Sequence, residues 1–436
     1  MYSPSFRRRV RVSRFLAASL CGFIASLPLH AASSDGALDL NSATRIAAAR
    51  APLVQAQQFR AQAAQDDAVR AGQLPDPELT AGIQNLTATG PQAFNLGADP
   101  MTMQTIGVMQ AFPSRAKREA RTGLADAEAQ LAGADSVSVR LAAKRATAQA
   151  WVSLWAAQRE HMLLEELHEQ AALAVTLAKA RLTGGTGSAT DVLAAQSATI
   201  ELDNKLDAAA ANVVAARAAL RRWIGTDAQR TLAEPPDFAT MGVAPAQLLT
   251  DIDRQGPLLG WKAREDKAQA ALALAEAGKR PDWKVGLVFG HRLHLDNMVG
   301  VEVSVDLPIF PGNRQGRDIS ARHAERDAVK AEHEDARRTQ REAVATAIAD
   351  WKGYGQQARR FEDSLLPLLR DRSRTALALY RGGGSLQPWL DAWRDEIRTR
   401  IDYTDVLAAW GKTWAELAYL VPDNKTARIA LPEVSP

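Results

Sequence analysis

The chain of 436 residues has one cysteine, an aromatic content of only 6%, and almost no excess of charge of either sign. One cysteine cannot pair within a chain, so no internal disulfide framework holds this fold. Lys and Arg number 53 against 50 Asp and Glu, a formal charge of +3. A bilayer-spanning helix needs about 20 apolar residues, and no run reaches that length. The markers of catalysis are missing too: there is no Gly-x-Ser-x-Gly, no P-loop lysine and no His-Glu-x-x-His. The two glycine clusters lack the Lys-Ser/Thr that would hold a phosphate. The expectation is a non-enzyme without a cofactor. What is present is apolar material, 46% of the chain, which excludes a disordered protein.

The N-terminus explains the basic balance. Arg7, Arg8, Arg9, Arg11 and Arg14 precede an apolar run from Phe15 to Leu29, and Ala31–Ala32–Ser33–Ser34 supplies small residues for cleavage. That order is a secretory signal peptide, expected over 1–32. Its removal takes five arginines and no acid, and turns +3 into −2. Cys21 leaves with it. The basic excess is an address, and no nucleic-acid partner is expected.

The remainder is written twice. Leu74–Pro75–Asp76–Pro77–Glu78–Leu79 is echoed by Arg280–Pro281–Asp282–Trp283, and Ala111–Phe112–Pro113 by Asp306–Leu307–Pro308. Gly187–Ser188 with Val192–Leu193–Ala194–Ala195 is echoed by Gly384–Ser385 with Trp389–Leu390–Asp391–Ala392. The offset, about 200 residues, is far longer than a solenoid period. The expected organisation is a first repeat over 33–232, a proline-containing linker over 233–244, a second repeat over 245–425, and a tail over 426–436.

Each repeat has the same order. A helix comes first (Asn41 to Ala71, with Asn41 as N-cap; Pro245 to Gly278), stopped by Pro75 or Pro281. Two strands follow. Val299, Val301, Val303, Val305 and Leu307 alternate with Gly300, Glu302, Ser304 and Asp306, which gives one apolar face. Val285, Leu287 and Phe289 are its partner; in the first repeat, Leu79, Ala81 and Ile83 pair with a run from Thr102 to Phe112. A very long helix is next, Arg115 to Arg181 and Asp318 to Arg381, each roughly 100 Å at 1.5 Å per residue. Ala127, Ala134, Leu141, Ala148, Trp155 and Met162 recur at sevens in the first. Val344, Ala347, Trp351, Tyr354, Ala358, Phe361, Leu365 and Leu368 form the stripe of the second, where Pro367 should kink or split the helix. Glycines then turn the chain at Gly184, Gly185 and Gly187, and at Gly382, Gly383 and Gly384. The return helices carry three-four seams, Val192 to Trp223 and Leu390 to Val421, the latter interrupted by Arg400. Seamed helices joined by glycine make antiparallel hairpins.

Four strands cannot close a membrane barrel, which takes at least about eight, and an open edge is not viable in lipid. If the strands insert, several copies must share one barrel.

Signal peptide, duplication, Leu74–Leu79, Tyr380 with its glycines and Ser385, and Asp191–Val192–Leu193 together resemble the TolC family of outer-membrane efflux ducts, over roughly Leu38 to Pro422. Leu74–Leu79 with Gly82 and Asn85 is most similar to the heavy-metal efflux branch. The resemblance implies a mainly α fold with transmembrane β: long antiparallel coiled-coil hairpins forming an α-barrel, and four strands per chain forming a trimeric twelve-stranded β-barrel. It also implies a homotrimer in outer-membrane lipid with a periplasmic tunnel. Its partners would be a periplasmic adaptor meeting the glycine turns and an inner-membrane transporter of RND type. The implied role is passive export of metal cations. Drug efflux, type I secretion of polypeptides, and a soluble coiled-coil adaptor are the alternatives.

In that family an Asp just past the turn lines the periplasmic entrance, so Asp191 and Asp391 are candidates; Asp191 also suits a helix N-terminus simply by its charge. Pro388 stands where a second Asp often lies. Tyr380 and Arg381 match the stretch before the turn, where inter-helix contacts hold the gate shut. His291 and His294, with Asp296, are weak metal candidates on a strand loop, more simply read as a solvated cluster. His161 and His168 read as solvated helix surface. Met101, Met103 and Met109 lie in or beside a strand. The charge-dense stretch Asp318 to Glu342 reads as a solvated face laced with i,i+4 pairs. Trp151, Trp155, Trp223, Trp351, Trp393 and Trp414 fall on helices and read as packing anchors.

Overall fold

The computed structural model describes residues 36–422; the signal peptide and the 426–436 tail lie outside them. In chain order the elements are α1 (Leu40–Arg50), α2 (Pro52–Ala71), β1 (Glu78–Gln84), β2 (Met103–Phe112), α3 (Arg115–Thr183) and α4 (Ala189–Ile224). The second copy follows as α5 (Pro245–Thr250), α6 (Trp261–Ala277), β3 (Trp283–Arg292), β4 (Met298–Val305), α7 (Gln315–Arg360), α8 (Leu366–Arg381) and α9 (Gln387–Ala418).

The opening helix of each copy is broken where the sequence predicts one piece. Asp39, not Asn41, caps α1: its Oδ1 accepts from the Ser42 N–H at 2.5 Å. Ala51 is then extended (φ −61°, ψ 129°), as a residue before proline prefers, and Pro52 opens α2. In the second copy α5 ends at Thr250, and two short 3-10 turns, the second containing Pro257, precede α6. Pro75 and Pro281 do not stop these helices. The helices end at Ala71 and Ala277, with Gly72 and Gly278 in the cap positions, and the prolines lead into the strands.

The long helices form as their patterns require, with two adjustments. α3 runs 69 residues. A 3.6-residue helix drifts about 20° per heptad against strict sevens, so the Ala127–Met162 series leaves the core: Met162 is 61% exposed. The seam resumes on Leu164, Leu167, Ala171, Ala174 and Ala178, which pack against Ala195, Ala198, Leu202 and Ala209 of α4. In the second copy a π-turn at Phe361–Leu365 splits α7 from α8. Pro367 has no N–H to give the ladder, which fits the extra residue just before it. That residue slips the stripe by one place. Leu365 and Leu368 are exposed; Leu366, Leu369, Ser373 and Tyr380 take the inward positions.

Arg400 interrupts the α9 seam because it serves Glu396, 5% exposed, through a hydrogen bond of 2.5 Å. The linker is not loose. Phe238 is buried among Trp155, Trp410 and Trp414, and Trp351 and Trp414 donate to the carbonyls of Phe238 and Thr240 at 2.8 and 2.6 Å. Of the tryptophans read as anchors, Trp151 and Trp393 are buried and Trp155, Trp223, Trp351 and Trp414 pack against the same cores. The charge-dense start of α7 carries the expected pairs, such as Arg338–Glu334 at 3.0 Å, but His333 and Arg337 turn inward to Glu265 and Asp253.

One antiparallel sheet, β1-β2-β3-β4, joins the two copies. Its register aligns Leu79, Val108, Leu287 and Val301 in one row, and Ala81, Ile106, Phe289 and Val299 in the next. Because side chains alternate, one face is mainly apolar, with Gln104, Gln110 and His291 its polar members. The other face carries Glu78, Thr80, Gly82, Thr105, Gly107, Gly286, Gly290, Gly300, Glu302 and Ser304. At the end nearest the long helices Trp283 opposes Phe112 on the apolar face. The six tryptophans expected as packing anchors stand on helices, whereas Trp283 stands at a strand end.

Candidate gate at the hairpin turns

Both turns are built by glycine for steric reasons. Gly185 and Gly383 sit at φ +73° and +107°, where a side chain is strained. A Cβ on Gly187 would lie 2.9 Å from the Arg181 backbone, and one on Gly384 2.9 Å from the Leu379 carbonyl. Gly184 and Gly382 close their helices by N–H bonds to Ala180 and Ala378, both at 3.0 Å. Ser188 caps α4, its Oγ accepting from the Thr190 N–H at 3.0 Å.

Tyr380 is buried at 1% exposure. Its ring stacks on Trp389 at 5.8 Å. Over it, 4.6 Å from the ring centroid, lies the guanidinium of Arg181 from the first hairpin. Arg181 donates through Nη1 to the Tyr380 and Gly384 carbonyls at 2.8 and 2.9 Å, and through Nη2 to those of Thr186 and Gly383 at 3.1 and 3.3 Å. The planar fork thus satisfies carbonyls at the C-terminal end of α8 while holding its own turn. Burial pushes the Tyr380 phenol above its ordinary value; the Asp191 charge adds to this and Arg181 opposes it.

The other predicted residues spread around this clasp. Asp191 stands in the first turn of α4, half-buried. Asp391 is exposed, accepts from Gln387 Nε2 at 2.8 Å, and lies 4.0 Å from Arg394, which reaches Glu201 of α4 at 3.4 Å. Arg381 is exposed and takes no part in the clasp. The residue sequence reasoning missed is Arg181. Matching the turns on Gly185 and Gly383 sets Arg181 against Leu379, so only the first copy carries this arginine. An unmatched cation one turn before the glycines was the available signal, hidden by the ordinary preference for a base at a helix C-terminus.

His291 Nδ1 meets Asn297 Oδ1 at 2.8 Å, and His294 lies beside Gly97. Among the described residues no three His, Cys, Asp or Glu side chains converge as a metal site would require. His161 and His168 pair with Glu165 and Asp203 at 3.5 and 2.9 Å. Met103 and Met109 cover Gly290 and Gly286 on the polar face of the sheet, and Met101 is exposed beside β2.

Comparison with known proteins fits this layout. The family model described as outer membrane efflux protein matches residues 44–226, the bulk of the first copy. No curated protein matches the sequence. Among solved structures, a membrane protein from Pseudomonas aeruginosa superimposes with a TM-score of 0.75 at 18% identity, covering 89% of this chain and 91% of that one. CusC gives 0.73 at 15% over 88% and 92%, and the Campylobacter jejuni CmeC outer membrane channel 0.71 at 12% over 90% and 90%. The family is one of channels rather than enzymes. The outer membrane efflux protein model thus matches the first copy in sequence, and both copies share the fold of these solved structures.

Proposed function

We propose that three copies of this chain close one twelve-stranded barrel over one helical tunnel, and that the trimer is the passive exit duct of a tripartite efflux system. The observation that carries this is the sheet. It has an apolar face in register across four strands, and β1 and β4 leave two unpaired edges. Such edges are stable in lipid only when other strands cover them, and β4 of one copy against β1 of the next closes a ring. Mass measurement of the detergent-solubilised protein is expected to give a trimer. A water-soluble monomer would sink the reading.

The substrate we propose is a metal cation, on the resemblance of Leu74–Leu79 to the heavy-metal branch. An RND-type transporter supplies the energy and an adaptor docks at Gly184–Gly187 and Gly382–Gly384. Within the duct, Asp191 and Asp391 form the carboxylate ring of the entrance, and the clasp on Tyr380 holds the hairpin tips together. Deletion of the gene is expected to raise susceptibility to copper, silver, zinc or cadmium. A strain sensitised only to drugs would reassign the substrate and leave the duct standing.

A further inference from the structure

The two strand-to-helix junctions share a pattern that the duct reading leaves unused. After β2 the chain reads Phe112–Pro113–Ser114–Arg115, then Arg118. After β4 it reads Phe310–Pro311–Gly312–Asn313–Arg314, then Arg317. In both copies an exposed aromatic and a proline precede two arginines three residues apart; Arg115 and Arg118 share one face of the first turns of α3, whereas Arg314 stands at the cap of α7 and Arg317 in its first turn. Phe310 is 82% exposed, and Leu307 and Ile309 before it are exposed as well. Phe112 continues the apolar face of the sheet beside Trp283.

The arginines are not absorbed by internal pairing. Arg314 and Arg317 are exposed, and no ion pair engages either among the described residues. Arg115 reaches Glu119 at 2.7 Å on an open surface, a contact of little worth. Arg118 lines an open groove with Gly72, Thr122 and Asp126, and its Nε is buried without a partner. Lys117 is the exception, held by Asp282 at 2.8 Å.

We propose that these two junctions bind anionic phospholipid headgroups at the periplasmic surface of the outer membrane. Phe112 and Trp283 end the sheet, and Phe310 is exposed just past β4; aromatic rings favour the lipid–water boundary, and each arginine pair follows its aromatic within a few residues, which would bring it to the lipid phosphates. Arginine's fork suits phosphate oxygens. The pairs anchor the height of the barrel in the bilayer from both copies of the fold. The inference rests on the apolar sheet face being the lipid-facing one.

The test is a native mass spectrometry titration of the full-length, detergent-solubilised protein with phosphatidylglycerol, phosphatidylcholine or soluble glycerol phosphate. Phosphatidylglycerol is expected to bind best, and Arg115→Gln with Arg118→Gln, or Arg314→Gln with Arg317→Gln, to weaken it about fivefold for each arginine lost. The matching lysine variants should keep most of the binding, and circular dichroism reports whether every variant folds. Equal binding of phosphatidylcholine, unaltered binding by the glutamine variants, or equal binding of glycerol phosphate would each overturn the proposal. So would a glutamine variant whose trimer dissociates while its lipid binding is unchanged, since a second copy would then be the partner. Wild-type protein that is soluble without detergent fails the membrane reading itself, an outcome separate from a detergent-requiring trimer indifferent to phosphatidylglycerol.

Discussion

Arg181 Nη1 donates to the Tyr380 carbonyl at 2.8 Å while its guanidinium covers the Tyr380 ring at 4.6 Å. One side chain thus holds the tips of two hairpins about 200 residues apart in sequence. Hydrogen bonds from a charged donor contribute about 1.5–3 kcal/mol each when buried, and less here because the site is half open. Arg181→Ala is expected to free the second turn and raise single-channel conductance in planar bilayers. Arg181→Lys should recover only part of the closed state, because an ammonium cannot span carbonyls of two turns at once. A lysine variant equal to wild type would mean that charge alone matters.

Tyr380 separates ring from hydroxyl. Its Oη is buried and makes no hydrogen bond, whereas its ring is packed on both Trp389 and Arg181. Tyr380→Phe should therefore leave stability and conductance unchanged or slightly raise stability. Tyr380→Ala removes the platform and should cost about 3 kcal/mol, read by thermal unfolding of the detergent-solubilised protein. A destabilised phenylalanine variant would show that the hydroxyl has a partner in the assembled channel.

Much of this architecture was legible because periodicity reports burial directly. The Val299–Val305 alternation predicts the apolar sheet face, and the α4 seam from Val192 to Trp223 is buried or half-buried at every place. Legibility ends where the backbone changes phase. Met162 fits strict sevens yet faces outward, since a straight helix does not keep a seven-residue repeat. Leu365 and Leu368 fit the stripe until the π-turn shifts it by one residue. At the gate the turns and Tyr380 are visible in the sequence, but Arg181 is not, because its four partners are backbone carbonyls and carry no residue-type signature.

Lys117 and Asp282 tie the start of α3 to the start of β3 across the two copies. Burial alone would raise the Asp282 carboxyl. The Lys117 ammonium, the Ser114 N–H and the charges of Lys117 and Arg121 outweigh burial and hold it below the ordinary carboxylate range. A depressed folded value means that the native state binds fewer protons, so its stabilisation is complete above the unfolded value, about 3.9, and is lost as pH falls through the folded one. Asp282→Asn should cost about 1 kcal/mol at neutral pH and flatten the acid limb of a pH–stability curve. An acid limb identical to wild type would remove Asp282 from the linkage.

Asp391 offers the sharpest test of an entrance ring, because its charge can be removed with little else disturbed. The carboxyl is exposed and accepts one hydrogen bond, from Gln387 on its own helix. Asparagine keeps an acceptor oxygen for that bond, and Arg394 retains Glu201 as a partner. Three carboxylates converging in one pore attract cations and raise their local concentration. Asp391→Asn is therefore expected to lower cation selectivity and weaken block by multivalent cations in single-channel recordings, with thermal stability unchanged. Asp191→Asn has a second effect, since Asp191 lies in the first turn of α4, where a negative charge stabilises a helix by about 0.3–1 kcal/mol. Loss of stability with unaltered selectivity in Asp191→Asn would assign that residue to the helix end. Unaltered selectivity and block in both variants would remove the carboxylate ring and leave the Arg181 clasp as the closing element of the tips.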